Sequence, residues 1–185
     1  MAENLLGNGM GIYQIDLDPC GIVCLVFYFE TIMNTCPYCT IHSFTPFGVQ
    51  DNITLVYTAP ALSTVVKETE KTILQHRAHL DTMKEKWIWI IDFAKMEIGH
   101  YISLDLTQKL AKILLADHRE KLCAIYLINP NFWLRNTIKM AKSILTSDLE
   151  KKIRLIESSG TGSLLELGSL GIKHKWLQCL DEIRI

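Results

Sequence analysis

Trp87-Ile88-Trp89-Ile90-Ile91-Asp92-Phe93 is the stretch on which the reading of this chain turns. It is β-branched and aromatic, with no polar residue before Asp92, which suits a central strand covered on both faces. Just upstream, Leu62, Val65, Val66, Thr69, Ile73, Leu80 and Met83 recur at helical spacings within a stretch dense in Lys, Glu and His, predicting a helix with one apolar stripe. Downstream, Leu106, Leu110, Ile113 and Leu114 share one face of a second helix, and Cys123 to Ile128 forms a second short apolar strand. Asn129-Pro130 ends that strand, because proline removes a ladder donor. Trp133, Ile138, Ala141, Ile144 and Leu145 mark a further helix, and Lys152 to Ile156 reads as a third strand. Strand and helix alternating in this way predict an α/β fold, a mostly parallel sheet with right-handed crossovers flanked by helices.

Around this centre the signals are weaker. Ser158-Ser159-Gly160-Thr161-Gly162 is read as a loop, followed by a short helix from Ser163 and an amphipathic segment from Trp176 to Ile183. In the N-terminal third, Ile12 to Leu17, Ile22 to Phe29 and Ile53 to Tyr57 are strand candidates separated by Pro and Gly turns. With 185 residues, 49% of them hydrophobic, the chain can bury a substantial core as one domain.

A formal net charge of -1, from 19 basic and 20 acidic residues, offers no broad attraction to nucleic acid or to an anionic membrane, so no nucleic-acid partner is expected. The apolar run from Gly21 to Met33 is interrupted by Glu30 and is too short to cross roughly 30 Å of hydrocarbon. No secretion signal is read at the N-terminus, and a cytoplasmic location is the expectation.

The order WIWIIDF, a helix, then HREKLCAIYLINPNFWLRNTIKMAKSILTSDLEKKI resembles the CRAL-TRIO lipid-binding family over about residues 62–156. The resemblance rests on a hydrophobic strand ending in Asp92, on Glu120-Lys121-Leu122 leading into AIYLIN and Asn129, and on a helix with Lys142 and Leu145 that runs into Lys152-Ile153. It implies a lipid-binding lobe over 60–185, with 1–59 a divergent N-terminal segment of the same domain. It also implies an apolar pocket floored by the sheet and closed by a gate helix from Asn131 to Leu145, with Trp133, Ile138, Ala141 and Leu145 as pocket or gate residues. In phosphatidylinositol-binding members an acid before the second strand and a lysine before the third hold the headgroup. Glu120 and Lys152 stand at those places, where an ammonium can contact a phosphate and a carboxylate can accept from inositol hydroxyls.

Two positions depart from the family pattern. His118-Arg119 stands where Tyr-Pro is usual before the Glu, and Ser143 where a Pro usually follows the gate lysine. The helical domain that normally precedes the lobe is not recognisable in Met1 to Ala59.

The implied function is non-enzymatic binding, and exchange between membranes, of a phospholipid or other hydrophobic small molecule. It needs no cofactor, no metal and no catalytic residue, and its partners are the lipid and a transient membrane surface. The alternative is a protein-interaction or regulatory module with a degenerate pocket, which a protein partner or self-association would complete. A STAS-like signalling domain fits less well, since Ser103 comes late after Asp92.

Cys36-Pro37-Tyr38-Cys39 resembles the active-site sequence of glutaredoxins, but Thr40 to Gln50 contains Pro46, Gly48 and no helical period, so a thiol oxidoreductase is the weaker reading. Cys20, Cys24, Cys36, Cys39 and His42 could offer sulfur and nitrogen to zinc, yet Cys24 lies in a run apolar enough for a buried thiol. His76 and His79, three apart, are read as a solvated helix face. Gly160 to Ser163 before a helix could bind an anion, with a flexible loop the commoner meaning.

Overall fold

The computed structural model describes residues 44–62, 69–96, 104–132, 134–136, 138 and 146–185. The chain divides into Met1–Thr35 and Cys36–Ile185, and all described residues belong to the second unit. They form a five-stranded sheet in sequential order: β1 (Thr45–Gln50), β2 (Ile53–Thr58), β3 (Trp87–Asp92), β4 (Leu122–Ile128) and β5 (Ile153–Leu155). The helices are α1 (Thr69–Leu80), α2 (Leu104–Asp117), α3 (Ser147–Lys152), α4 (Thr161–Ser169) and α5 (His174–Ile183). Residues 132–138, where described, are also helical.

The α/β architecture is as expected: β2, β3, β4 and β5 run parallel, and β1 is antiparallel to β2. The expected sheet was built on the apolar runs, and the structure adds β1. Its sequence, TPFGVQ, hides it, because Pro46 and Gly48 are poor strand residues. Both are accommodated at an edge, where the register shifts between Pro46 and Gly48 and the other flank of the sheet does not need the missing donor. Asp51 and Asn52, both at positive φ (51° and 62°), close the β1–β2 hairpin as a two-residue turn whose twist matches the strands. The sheet therefore begins ahead of residue 60.

The winding decides which helix covers which face. From β2 to β5 each step moves one strand in the same direction, and right-handed crossovers then put every connection on one side. On that side, Leu80 of α1, Ala111 and Leu114 of α2, Leu134 of the segment after β4, and Leu149 of α3 pack with Val56, Trp87, Trp89, Ile125 and Leu127, and Ile138 joins them. The opposite face carries the alternate residues Leu55, Tyr57, Ile90, Tyr126 and Ile128, and has to be covered by chain beyond β5. Leu164 and Leu167 of α4, Ile172 of the connection that follows it, and Leu180 of α5 do so. Trp87, Trp89, Ile90 and Asp92 are all buried, so β3 is covered on both faces as its composition requires.

The predicted α1 stripe is partly right. Leu80 and Met83 are buried and Ile73 half-buried, but Leu62 sits in a short 3-10 turn and is exposed. Val65 and Val66 lie outside the described residues. Glu70 in the first turn, and Arg77 and His79 in the last, complement the helix dipole. The short helix expected from Ser163 starts two residues earlier, at Thr161, and β5 is trimmed because Lys152 ends α3.

The hairpin is sewn to the second helical layer. Gln50 Nε2 donates to the Gly171 carbonyl (2.7 Å), the Lys173 amide donates to Gln50 Oε1 (2.8 Å), and Lys173 pairs with Asp51 (2.6 Å). Trp176 lies directly on Gly48, where an added Cβ would meet the indole at 2.5 Å. Gly48→Ala is therefore expected to lower the unfolding free energy by about 1–3 kcal/mol through overpacking. Urea denaturation followed by tryptophan fluorescence measures it, and an unchanged midpoint would show that the indole can move aside.

Candidate functional site

At the carboxyl end of the sheet, a buried polar network joins three strands and a helix. Asp92, at the end of β3, is fully buried, and its carboxylate accepts from the Tyr57 hydroxyl (3.1 Å), the Ala94 amide (2.9 Å) and Asn129 Nδ2 (2.8 Å). Three donors make burial of this group tolerable. The Tyr57 phenol is held well above its ordinary range, first by burial, then by the charge of Asp92 and the hydrogen bond to it, against smaller opposing effects of the Ile185 backbone and Arg184. Tyr57 is thus a permanent donor.

Asn129 sits at φ 52°, a left-handed conformation that Asn tolerates, and its Oδ1 accepts from the Gly160 amide (3.0 Å). Arg184 and Ser163 in turn donate to the Gly160 carbonyl (2.8 and 2.7 Å). The Gly160 turn, read as a loop, is therefore tied by hydrogen bonds to Asn129, Ser163 and Arg184. On the layer beneath, Trp89 Nε1 donates to the buried Thr58 hydroxyl (2.9 Å), so that tryptophan serves as core.

The segment after β4 starts from this network. Asn131 Oδ1 accepts from the Leu134 amide (2.9 Å), a helix N-cap, and the Arg135 guanidinium pairs with Glu157 beyond β5. Leu134 is buried and Ile138 half-buried against the first face of the sheet. Trp133, Ala141 and Leu145 lie outside the described residues, as does Lys142.

Glu120 and Lys152 both lie at the opposite, amino end of the strands. Glu120 is exposed on the turn that links α2 to β4. Lys152 ends α3, and its ammonium donates to two carbonyls of that same turn, those of Arg119 and Leu122, the latter at 2.5 Å. Arg119 pairs with Asp148 of α3, tying the turn to α3 a second time. Of the two residues singled out for a headgroup, the lysine is thus bonded to the backbone of the turn that carries the glutamate, which linear spacing could not reveal.

His76 departs from the solvated face read for it. Its ring is largely buried and Nδ1 has no hydrogen-bond partner, while His79 stacks at 5.5 Å on Phe44. Burial, with a smaller contribution from His79, lowers the His76 pKa to about 3. Among the described residues no group of three or more His, Cys, Asp or Glu could hold a metal ion. The Cys36–Cys39 pair, Cys20, Cys24 and His42 lie outside the described residues. Among those residues, too, no helix is long and apolar enough to cross a membrane.

Residues 50–162, more than half of the chain, match the divergent CRAL/TRIO domain family. This chain belongs to that family, whose members bind lipophilic small molecules. The fold is similar to the crystal structure of Sfh5, with a TM-score of 0.50 and 11% sequence identity over 60% of this chain and 46% of that one. The matched region thus spans less than half of Sfh5. A comparison with curated protein sequences gave no significant match.

Two outcomes follow from the buried groups. Asp92→Ala leaves three donors facing no acceptor and is expected to cost about 3 kcal/mol or more, against about 1 kcal/mol for Tyr57→Phe. Equal losses in urea denaturation would place the weight of the network elsewhere. For His76 the folded pKa lies below the unfolded 6.5, so the unfolded chain binds the extra proton and stability falls as pH drops from about 6.5 toward 3, by on the order of 1 kcal/mol per pH unit. His76→Leu should flatten that slope by one proton; an unchanged slope would mean that His76 opens to solvent.

Proposed function

We propose that this chain is a non-enzymatic carrier that holds one lipophilic molecule, a phosphoinositide in the first instance, and exchanges it at membrane surfaces on the cytoplasmic side. The family match carries the reading, because residues 50–162 take in the four parallel strands β2 to β5, the Glu120 turn, the segment after Asn129 and Lys152. In this reading Asn131 to Leu145 acts as the gate, with Trp133, Ile138, Ala141 and Leu145 lining the apolar site, and 1–59 completes the same domain as 60–185. Binding a lipid in an apolar cavity needs only shape, burial and a few oriented polar groups. Exchange works on the small difference between protein and bilayer environments, so no bond need be made or broken.

Glu120 and Lys152 are assigned to the headgroup. Supporting this is the contact of Lys152 with the turn that carries Glu120, and the suitability of an ammonium for a phosphate and a carboxylate for hydroxyls. A phosphate would have to draw the ammonium off the Arg119 and Leu122 carbonyls. That existing engagement also favours a second reading, a protein-interaction module in which Lys152 serves only to brace the turn.

Native mass spectrometry of the purified protein, with extraction of any bound lipid, separates the two. A stoichiometric phospholipid supports the carrier, and a clean apo mass that persists after incubation with mixed liposomes supports the module. Within the carrier reading, Lys152→Ala should weaken phosphoinositide binding more than binding of a neutral lipid. Equal loss for both would assign Lys152 to the turn alone.

A further inference from the structure

His118 stands one turn of chain from this proposed headgroup position and is built in an unusual way. Its side chain is 4% exposed, and neither ring nitrogen has a hydrogen-bond partner within 3.5 Å. A neutral imidazole carries one donor and one acceptor, so both are buried unsatisfied, which is rarely left without a purpose. The nearest carboxylate is Asp81, beyond the end of α1, whose Oδ1 lies 3.6 Å from Nε2. Asp81 is itself exposed and only loosely held by Arg77, at 4.0 Å, whereas Arg77 bonds Asp117 of α2 at 3.2 Å.

The groups that act on the ring oppose one another. Burial is the largest influence and lowers its pKa; the charges of Asp81 and Asp117 raise it, Lys121 of the turn lowers it, and a weak, long hydrogen-bonding contact with Asp81 raises it. Of the other charges on the neighbouring elements, Arg119 is paired with Asp148 of α3, Lys152 is on the turn carbonyls, and Glu120 is exposed. A proton on the imidazole therefore has one ready acceptor, Asp81. Reaching a charge-assisted distance of about 2.9 Å requires ring and carboxylate to close by about 0.7 Å.

That displacement has a mechanical path. The His118 carbonyl accepts from the Lys121 amide (3.1 Å) and the Leu122 amide (2.9 Å), closing the turn, and the Arg119 and Leu122 carbonyls of the same turn hold the Lys152 ammonium. We propose that His118 is a proton-operated control on this turn: protonation draws it toward Asp81, reshapes residues 118–122 and frees Lys152 for an anionic headgroup. The headgroup half of this rests on the phosphoinositide reading above; the movement of the turn does not. An anionic leaflet with a surface potential near -30 mV lowers the local pH by roughly half a unit, so arrival at such a surface pushes His118 in the releasing direction.

The test is residue-resolved NMR on the lipid-free full chain between about pH 7.5 and 5, across the range in which histidine titrates. The His118 ring, the amides of Arg119 to Leu122 and the Lys152 side chain should shift with one shared midpoint below 6.5. Asp81→Asn should lower that midpoint, and His118→Gln should abolish the shared transition, with His118→Phe as the second variant if Gln impairs folding. In parallel, binding to phosphoinositide-containing vesicles, relative to phosphatidylcholine alone, should rise several-fold as pH falls through the midpoint in the parent and stay flat in His118→Gln. A turn that stays still while His118 titrates, or the same vesicle pH dependence in His118→Gln, overturns the proposal. A turn that follows His118 with no vesicle binding at any pH upholds the switch and removes the phosphoinositide reading instead.

Discussion

The structure depends on one buried carboxylate. Asp92 ends a strand that is covered on both faces, and water is not there to solvate it, so the chain has to bring donors from β2, from the turn after β3 and from the end of β4. Satisfying that one group fixes where three segments leave the carboxyl edge of the sheet. Through the Asn129 side chain the same constraint reaches Gly160, and through Gly160 it reaches Ser163 of α4 and Arg184 after α5. The segment that follows Asn129, capped by Asn131 and anchored by Arg135 on Glu157, therefore begins from a rigid post.

The two ends of the sheet have different chemistry as a consequence. The carboxyl end is a closed network in which each donor has an acceptor, suited to holding shape. The amino end is looser: Glu120 is exposed, Lys152 is satisfied by backbone carbonyls that a better acceptor could replace, and His118 is buried with neither nitrogen bonded. Responsiveness belongs at the second end, because a group held only by exchangeable contacts can change partner at small cost, whereas opening the Asp92 network would strand a charge in the interior.

Membership of the divergent CRAL/TRIO family and this distribution of polarity are compatible with one division of labour. A parallel sheet wound in one direction places α1, α2, α3 and the segment after Asn129 on a single face, and leaves α4 and α5 to seal the other. A mobile element on the first face would leave the second core undisturbed. The hairpin of β1 and β2, bonded to the α4–α5 connection through Gln50 and Lys173, further stiffens that sealed side.

What the sequence determined by itself follows from local composition. WIWIID has the composition of a strand buried on both faces, AIYLI repeats the pattern, and the helical spacings between them predict parallel pairing and right-handed crossovers. The family resemblance was likewise legible, since it rests on ordered spacing along the chain. β1 was not, because Pro46 and Gly48 contradict strand propensity and only pairing with β2 and packing under Trp176 override it. Nor were the groups that Tyr57, Asn129, Lys152 and His118 face, which lie tens of residues away along the chain. Tertiary structure alone decided them, because a hydrogen bond depends on separations of a few ångströms in space that are set by how strands register and helices stack, and linear spacing carries no measure of that.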